Sequence, residues 1–188
     1  MHENRILIHK LKNFENINSN FLIITLMLFG SILLAISAKV QVPFWPVPMT
    51  MQTFVIFLIG MTYSVRLSFA TVGFYLFQGA IGLPVFAAGG GVAYLVGPTA
   101  GYLYGMLFAS IVISYLANLG FSKTYFKATV SLLIGSAIIF SFGIIYLGYI
   151  IGFEKAVAAG LFPFIPSELF KIALAVALIP TLHKIITK

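Results

Sequence analysis

The sequence predicts an all-α, polytopic membrane protein: a bundle of six transmembrane helices with both termini in the cytoplasm. Three observations carry that expectation. Of the 188 residues 61% are hydrophobic and only 8% charged, where a soluble domain carries about a quarter. The mean hydropathy is +1.08. Apolar runs recur along the whole chain between short Pro- and Gly-rich breaks, and a bilayer core about 30 Å thick takes roughly 20 apolar residues per span, leaving room for about six.

Residues 1–20 are polar and basic and are expected as a cytoplasmic N-terminal segment, with the six-helix domain filling 21–188. The run from Phe21 to Val40 forms the first helix, and with no small-residue cleavage site after it we expect the helix to be retained. It stops before VPFWPVP, where Pro43, Pro46 and Pro48 withhold backbone donors. A second helix is expected from about Thr50 to Tyr63 and a third from Leu67 to Gly82, ended by Pro84. The Gly-rich loop FAAGGGVAYLVG leads to a fourth that opens at Pro98-Thr99 and closes near Gly120. The fifth covers Ala128 to Ile151, and the sixth runs from Pro166-Ser167 towards His183, with a kink expected at Pro180.

Charge supports this layout, because cytoplasmic loops collect Lys and Arg. With the N-terminus inside, Arg5, Lys10, Lys12, Arg66, Lys123, Lys127, Lys184 and Lys188 are cytoplasmic, and the outer loops hold only Lys39 and Lys155. Topology thus accounts for the net charge of +7, without nucleic acid as a partner. Three irregular segments, VPFWPVPM, PVFAAGGGVAYLVGP and GFEKAVAAGLFPFIP, fall on the outer side. Irregular backbone at that depth belongs around a cavity.

Glu168 and Lys171 stand within the sixth helix. A spacing of three puts both on one face, and a Lys at mid-span costs about 2.5 to 3.5 kcal/mol, so such groups face a partner or a cavity. Either they form only a mutual ion pair, or they line a pocket under the outer loops, which is the reading we prefer. Gln52, Thr53, Gln78, Thr99 and Tyr102 fall in the same outer layer and are either interhelical hydrogen bonders or pocket groups. Phe44, Trp45, Phe86 and Tyr94 are either interfacial aromatics or apolar pocket walls. Gly89, Gly90 and Gly91 either permit a turn or admit backbone amides to a ligand.

The stretches AKVQVPFWPVPMTMQTF, GAIGLPVFAAGGGVAYLVGPTAGYLYG and PFIPSELFKIALA resemble the signature regions of the BioY family, biotin-specific substrate-binding (S) subunits of energy-coupling-factor (ECF) transporters. The resemblance spans residues 30 to 180. The third region departs from the family pattern: members show Gly-Asp where this chain has Ser167-Glu168, so the carboxylate stands one methylene further out. The resemblance implies biotin as the transported ligand, held beneath the outer loops, with no cofactor and no metal. Glu168 would accept a ureido N–H, and Lys171 would bond the ureido oxygen or the carboxylate. Gln78, Gly89, Gly90 and Gly91 are second candidates for contact, with Trp45, Phe86 and Tyr94 as walls.

No G-x-x-x-x-G-K-[ST] phosphate loop occurs. The resemblance therefore implies a transmembrane coupling (T) subunit and two cytoplasmic ATPase subunits as partners, in a bacterial inner membrane whose lipid surrounds the bundle. It also implies docking through small residues of the first helix. Ser31, Ala35 and Ala38 have that spacing, which equally suits packing inside this bundle.

An enzyme is disfavoured: there is no Asp, and His2, His9 and His183 all lie near the chain ends. Remaining alternatives are a stand-alone biotin carrier, against which stands the lack of an evident internal repeat, and an S subunit for a different vitamin.

Overall fold

The computed structural model describes the backbone of residues 19–187. The expected cytoplasmic segment, with His2, Arg5, His9, Lys10 and Lys12, therefore lies outside the described residues, as do Lys188 and the side chains of His183 and Lys184. Helix α1 spans Ser19–Lys39. A tight antiparallel hairpin follows, strands β1 (Gln41–Val42) and β2 (Met49–Thr50), with Gln41 opposite Thr50 and Val42 opposite Met49. The prolines between them extend the backbone and confine pairing to these short strands. The Met51 amide donates to the Val40 carbonyl at 3.0 Å, so the hairpin turns the chain straight into α2, Gln52–Thr62.

Helix α3 spans Val65–Ala80, capped by the Ser64 hydroxyl accepting from the Leu67 amide. A loop containing the single-turn helix α4 (Val92–Leu95) leads to α5, Ala100–Leu116, whose last turn widens into a π-helix over Ala117–Phe121 and ends at Gly120 with φ of 90°. Helix α6, Tyr125–Ile151, closes at Gly152, also at positive φ. The short helix α7 (Phe153–Gly160) and a 3₁₀ turn at Phe162–Phe164 then feed α8, Ile165–Thr187. Pro166 sits in the first turn of α8, where its missing donor costs no hydrogen bond. The helix continues through Pro180.

Expectation and structure agree on the helical architecture and differ in detail. Among the described residues, four helical segments are long and apolar enough to cross a bilayer: Asn20–Lys39, Ala100–Phe121, Tyr125–Ile151 and Phe153–Ile179, the last joining α7 to α8. Helices α2, with 11 residues, and α3, with 16, are shorter. The hairpin, α4 and α7 were not foreseen, because Pro- and Gly-rich apolar stretches have no periodicity to read.

Helix α5 is central. It packs along α6 and also against α2 and α3, while α1 leans on α3 and α2, and α8 on α6 and α2. The α5–α6 contact requires missing side chains. A Cβ on Gly105 would stand 2.8 Å from the Ile139 Cα, and one on Gly101 would stand 2.5 Å from the Phe142 carbonyl oxygen. Backbone meets backbone there, so neither clash can be relieved by a rotamer change. Gly105→Val should lower the unfolding free energy of the detergent-solubilised chain by about 2 kcal/mol or more, seen as a reduced unfolding temperature, with Gly73→Ala, whose added Cβ meets nothing within 4 Å, as the unaffected control.

Candidate ligand-binding site

The end of the bundle that carries the hairpin, α4 and α7 holds a pocket. Its empty space, open mouth included, is about 490 Å³. The β2–α2 junction contributes Thr50, Gln52 and Thr53; α4 contributes Tyr94; α5 contributes Tyr102, Leu103 and Met106, with Thr99 just before its first residue. Ile139 and Phe140 of α6, Phe164 of the 3₁₀ turn, and Glu168 and Lys171 of α8 complete the wall, with Val47, Pro48 and Ala87 from the loops.

Polar chemistry is concentrated at one point. Glu168 and Lys171 are each 4% exposed, and the Lys171 ammonium lies 3.1 Å from Glu168 Oε2. Thr53 Oγ1 donates to Glu168 Oε2 at 2.8 Å, and Lys171 Nζ donates to Thr53 Oγ1 at 2.9 Å. Ser136 of α6 donates to the other oxygen, Oε1, at 2.8 Å. Three helices thus converge on one carboxylate. Buried charges demand this, since an ion pair without further hydrogen bonds does not recover its desolvation cost.

About one turn along the chain from Ser136 and Glu168 the pocket is aromatic, at Phe140 and Phe164. Tyr102 lies 6.4 Å from Phe164 with the rings nearly parallel, and Phe140 meets both rings edge-on at 6.1 Å. The Tyr102 hydroxyl is committed to the Gly160 carbonyl at 2.8 Å, so the ring's apolar face is what it presents.

The loop after α3 is held over the pocket by side chains from other elements. Tyr75 of α3 donates to the Val85 carbonyl at 3.0 Å, Lys39 at the end of α1 to Phe86 at 2.6 Å, and Gln41 of β1 to Ala87 at 3.3 Å. Tyr75 in turn accepts from the pocket residue Gln52 at 2.8 Å. Three successive carbonyls are fixed in this way, and Ala87 is thereby set into the pocket wall.

The structure brings Glu168, Lys171 and Tyr94 together in the lining with Gln52, Thr53, Thr99 and Tyr102, and leaves Phe44, Trp45, Gln78, Phe86 and Gly89, Gly90 and Gly91 outside it. Phe86 is fully buried, stacked on Tyr94 at 4.9 Å and edge-on to Tyr75 at 5.4 Å, in space that Gly79 leaves by having no Cβ. It supports the wall from behind. Trp45 is 79% exposed on the hairpin turn, where an interfacial aromatic belongs. Gln78 accepts from Ser31, joining α3 to α1 away from the pocket. Gly89 and Gly91 adopt φ of 132° and 102°, and a Cβ on Gly90 would strike the Leu83 carbonyl, so all three shape the turn and none lines the cavity.

Of the small-residue stripe on α1, Ser31 and Ala38 are buried against this bundle and Ala35 is half-buried. All three thus pack at least partly against their own bundle. Thr53 and Tyr102 were legible as polar groups of this layer; Ser136, Phe140 and Phe164 were not, since nothing separates them from other Ser and Phe residues of apolar helices.

A multi-pass helical bundle with a buried charge cluster, bonded from three helices and set beside aromatic rings, defines a membrane protein built to hold a small ligand that is polar at one end. The chain belongs to the BioY family, whose model matches residues 11–188. It is 37% identical over 156 residues to the "Probable biotin transporter BioY" of Rickettsia prowazekii, covering 82% of this chain and 80% of that protein. It is also 36% identical over 155 residues to the "Biotin transporter BioY" of Thermotoga maritima, covering 81% and 90%. Its fold matches the crystal structure of the S-component for biotin from an ECF-type ABC transporter with a TM-score of 0.79 at 26% identity, over 90% of this chain and 94% of that one.

The loop restraint makes a direct prediction. Tyr75→Phe keeps the ring and removes both hydrogen bonds of the hydroxyl, so amide hydrogen exchange at Phe86 and Gly91 should accelerate and the unfolding free energy should fall by about 1 to 3 kcal/mol. Unchanged exchange across 85–91 would contradict the restraint.

Proposed function

We propose that this chain captures biotin at the outer face of a bacterial cytoplasmic membrane and takes it up as the S subunit of an ECF-type transporter. The observation that carries the reading is the Glu168–Lys171 pair in the wall of a pocket whose other lining is largely apolar and aromatic, with Thr50, Gln52, Thr53 and Thr99 as its further polar groups. Biotin matches it in chemistry. Its ureido ring offers N–H donors and a carbonyl acceptor, its thioether ring is apolar and suits aromatic edges, and its valerate carboxylate can meet the hydroxyls of Thr50 and Thr99, which also line the pocket. Glu168 accepts a ureido N–H, and Lys171 donates to a ligand oxygen.

In this reading the four long segments, together with α2 and α3, make six spans. Lys39 and Lys155 lie at the pocket end of the bundle and Arg66, Lys123 and Lys127 at the opposite end, which the positive-inside rule assigns to the cytoplasm with both termini. The pocket then opens outward. Energy for release comes from partners, a T subunit and two ATPases, because the chain has no phosphate-binding loop of its own. Buried Ser31 and Ala38 leave such docking to other residues of α1 or to other helices.

The test is calorimetric titration of the purified chain, stripped of bound ligand, with biotin and with thiamine. Saturable binding of biotin alone is expected. Glu168→Ala and Lys171→Ala should each weaken it by roughly a hundredfold or more, since either change leaves a buried charge unpaired. A folded parent chain that binds thiamine, or neither ligand, would overturn the proposal.

A further inference from the structure

We infer that Ser136 is a positioning residue for ligand capture, fixing which carboxylate oxygen of Glu168 remains open and hence which ligand edge the pocket reads. The inference rests on the biotin-capture reading above. It begins from the hydrogen-bonding capacity of the cluster. A carboxylate offers about four lone-pair sites, two on each oxygen, and an ammonium offers three donors. Oε2 is filled by Thr53 and Lys171. Oε1 accepts from Ser136 alone and keeps one site. Lys171 spends one donor on Thr53 and one on Oε2, and keeps one. The floor of the empty pocket therefore presents one acceptor beside one donor. The complementary ligand edge carries one N–H next to one C=O, as in a cyclic urea or lactam.

Ser136 is what makes that count come out. It is 7% exposed, lies behind the carboxylate rather than in the pocket lining, and reaches the site only through Glu168. Without its hydroxyl, Oε1 has two open sites. In the empty pocket, water can serve both. Once a ligand seals the mouth its single N–H serves one, and the other becomes a buried acceptor without a partner, a cost that falls on the bound state. The carboxylate also loses its only tether to α6 and gains freedom to turn about its last bond. Both effects weaken ligand binding beyond any loss in the ligand-free fold, which distinguishes positioning from a purely structural role.

Ser131 supplies the comparison. It lies on the same helix and is fully buried, yet its hydroxyl has no hydrogen-bond partner. The experiment is biotin titration of purified chains in the order Ser136→Thr, Ser136→Cys and Ser136→Ala, with Ser131→Ala alongside and ligand-free unfolding temperatures as a folding check. Threonine keeps the donor and should bind within about threefold of the parent; cysteine, a weak donor, should fall between; alanine should bind roughly tenfold or more weakly, the scale of one hydrogen bond to a charged group. Ser131→Ala should leave affinity unchanged.

The decisive measurement is the double-mutant cycle with Glu168→Asp. An aspartate, one methylene shorter, cannot reach Ser136 while keeping Lys171, so Ser136→Ala should cost nothing further in that background. An equal loss in both backgrounds, an aspartate variant that binds no biotin at all, or a cysteine variant indistinguishable from the parent would each overturn the inference. A parent chain that binds no biotin would instead remove the reading it rests on. If Ser136→Ala does not fold, the Thr and Cys variants alone decide the outcome.

Discussion

The structure depends on the buried pair Glu168–Lys171. Two opposite charges taken out of water lose more hydration energy than their attraction returns, unless their remaining hydrogen-bonding capacity is met. Here most of it is met, from three helices: Thr53 on α2, Ser136 on α6, and the pair itself on α8. The cluster therefore ties α2 and α6 to α8 at the level where the bundle opens. It also leaves a small unspent capacity, which is what a ligand finds. Stability and recognition draw on the same four side chains.

Around that point the rest of the fold is support. Glycines of α5 allow α6 to approach backbone to backbone, bringing Ile139 and Phe140 into the pocket wall beside Tyr102. The hairpin after α1 carries Gln41 and leads into α2, so a Pro-rich run that fails to make a long strand serves to aim Gln52 and Thr53. Phe86, inserted over Gly79, holds Tyr94 in place, and the carbonyls beside it are pinned by Lys39, Gln41 and Tyr75. Lys39 illustrates how topology and structure overlap: one of only two bases assigned to the outer loops, it has a definite task in the loop that roofs the pocket.

Much of this was legible in the sequence for a physical reason. Long apolar runs and Pro or Gly breaks mark helices in a membrane protein, and the ends of α1, α5 and α6 fell within a few residues of where those signals put them. A carboxylate and an ammonium three apart in an apolar helix have few tolerable placements, so their common face could be read directly. What could not be read was any feature whose meaning is tertiary. Ser136 and Ser131 are the same residue type on the same helix, and only packing decides that one meets a carboxylate and the other meets nothing. Phe86 and Trp45 both looked like wall or belt aromatics; the vacancy at Gly79 drew one inward, and the exposed turn left the other outside. Ser31 and Ala38 had the spacing of a docking stripe because close helix packing uses the same small residues whether the partner is another subunit or the neighbouring helix of the same chain.

The measurement that tests this account most directly is a structure of the chain determined with biotin bound. The account predicts the ureido ring seated on the charge cluster, with an N–H within hydrogen-bonding distance of Glu168 Oε1, an oxygen of the ligand on Lys171 Nζ, and the thioether ring against Tyr102, Phe140 and Phe164. Biotin found at the mouth of the pocket or elsewhere, with Glu168 and Lys171 bonded only to each other and to Thr53 and Ser136, would contradict it.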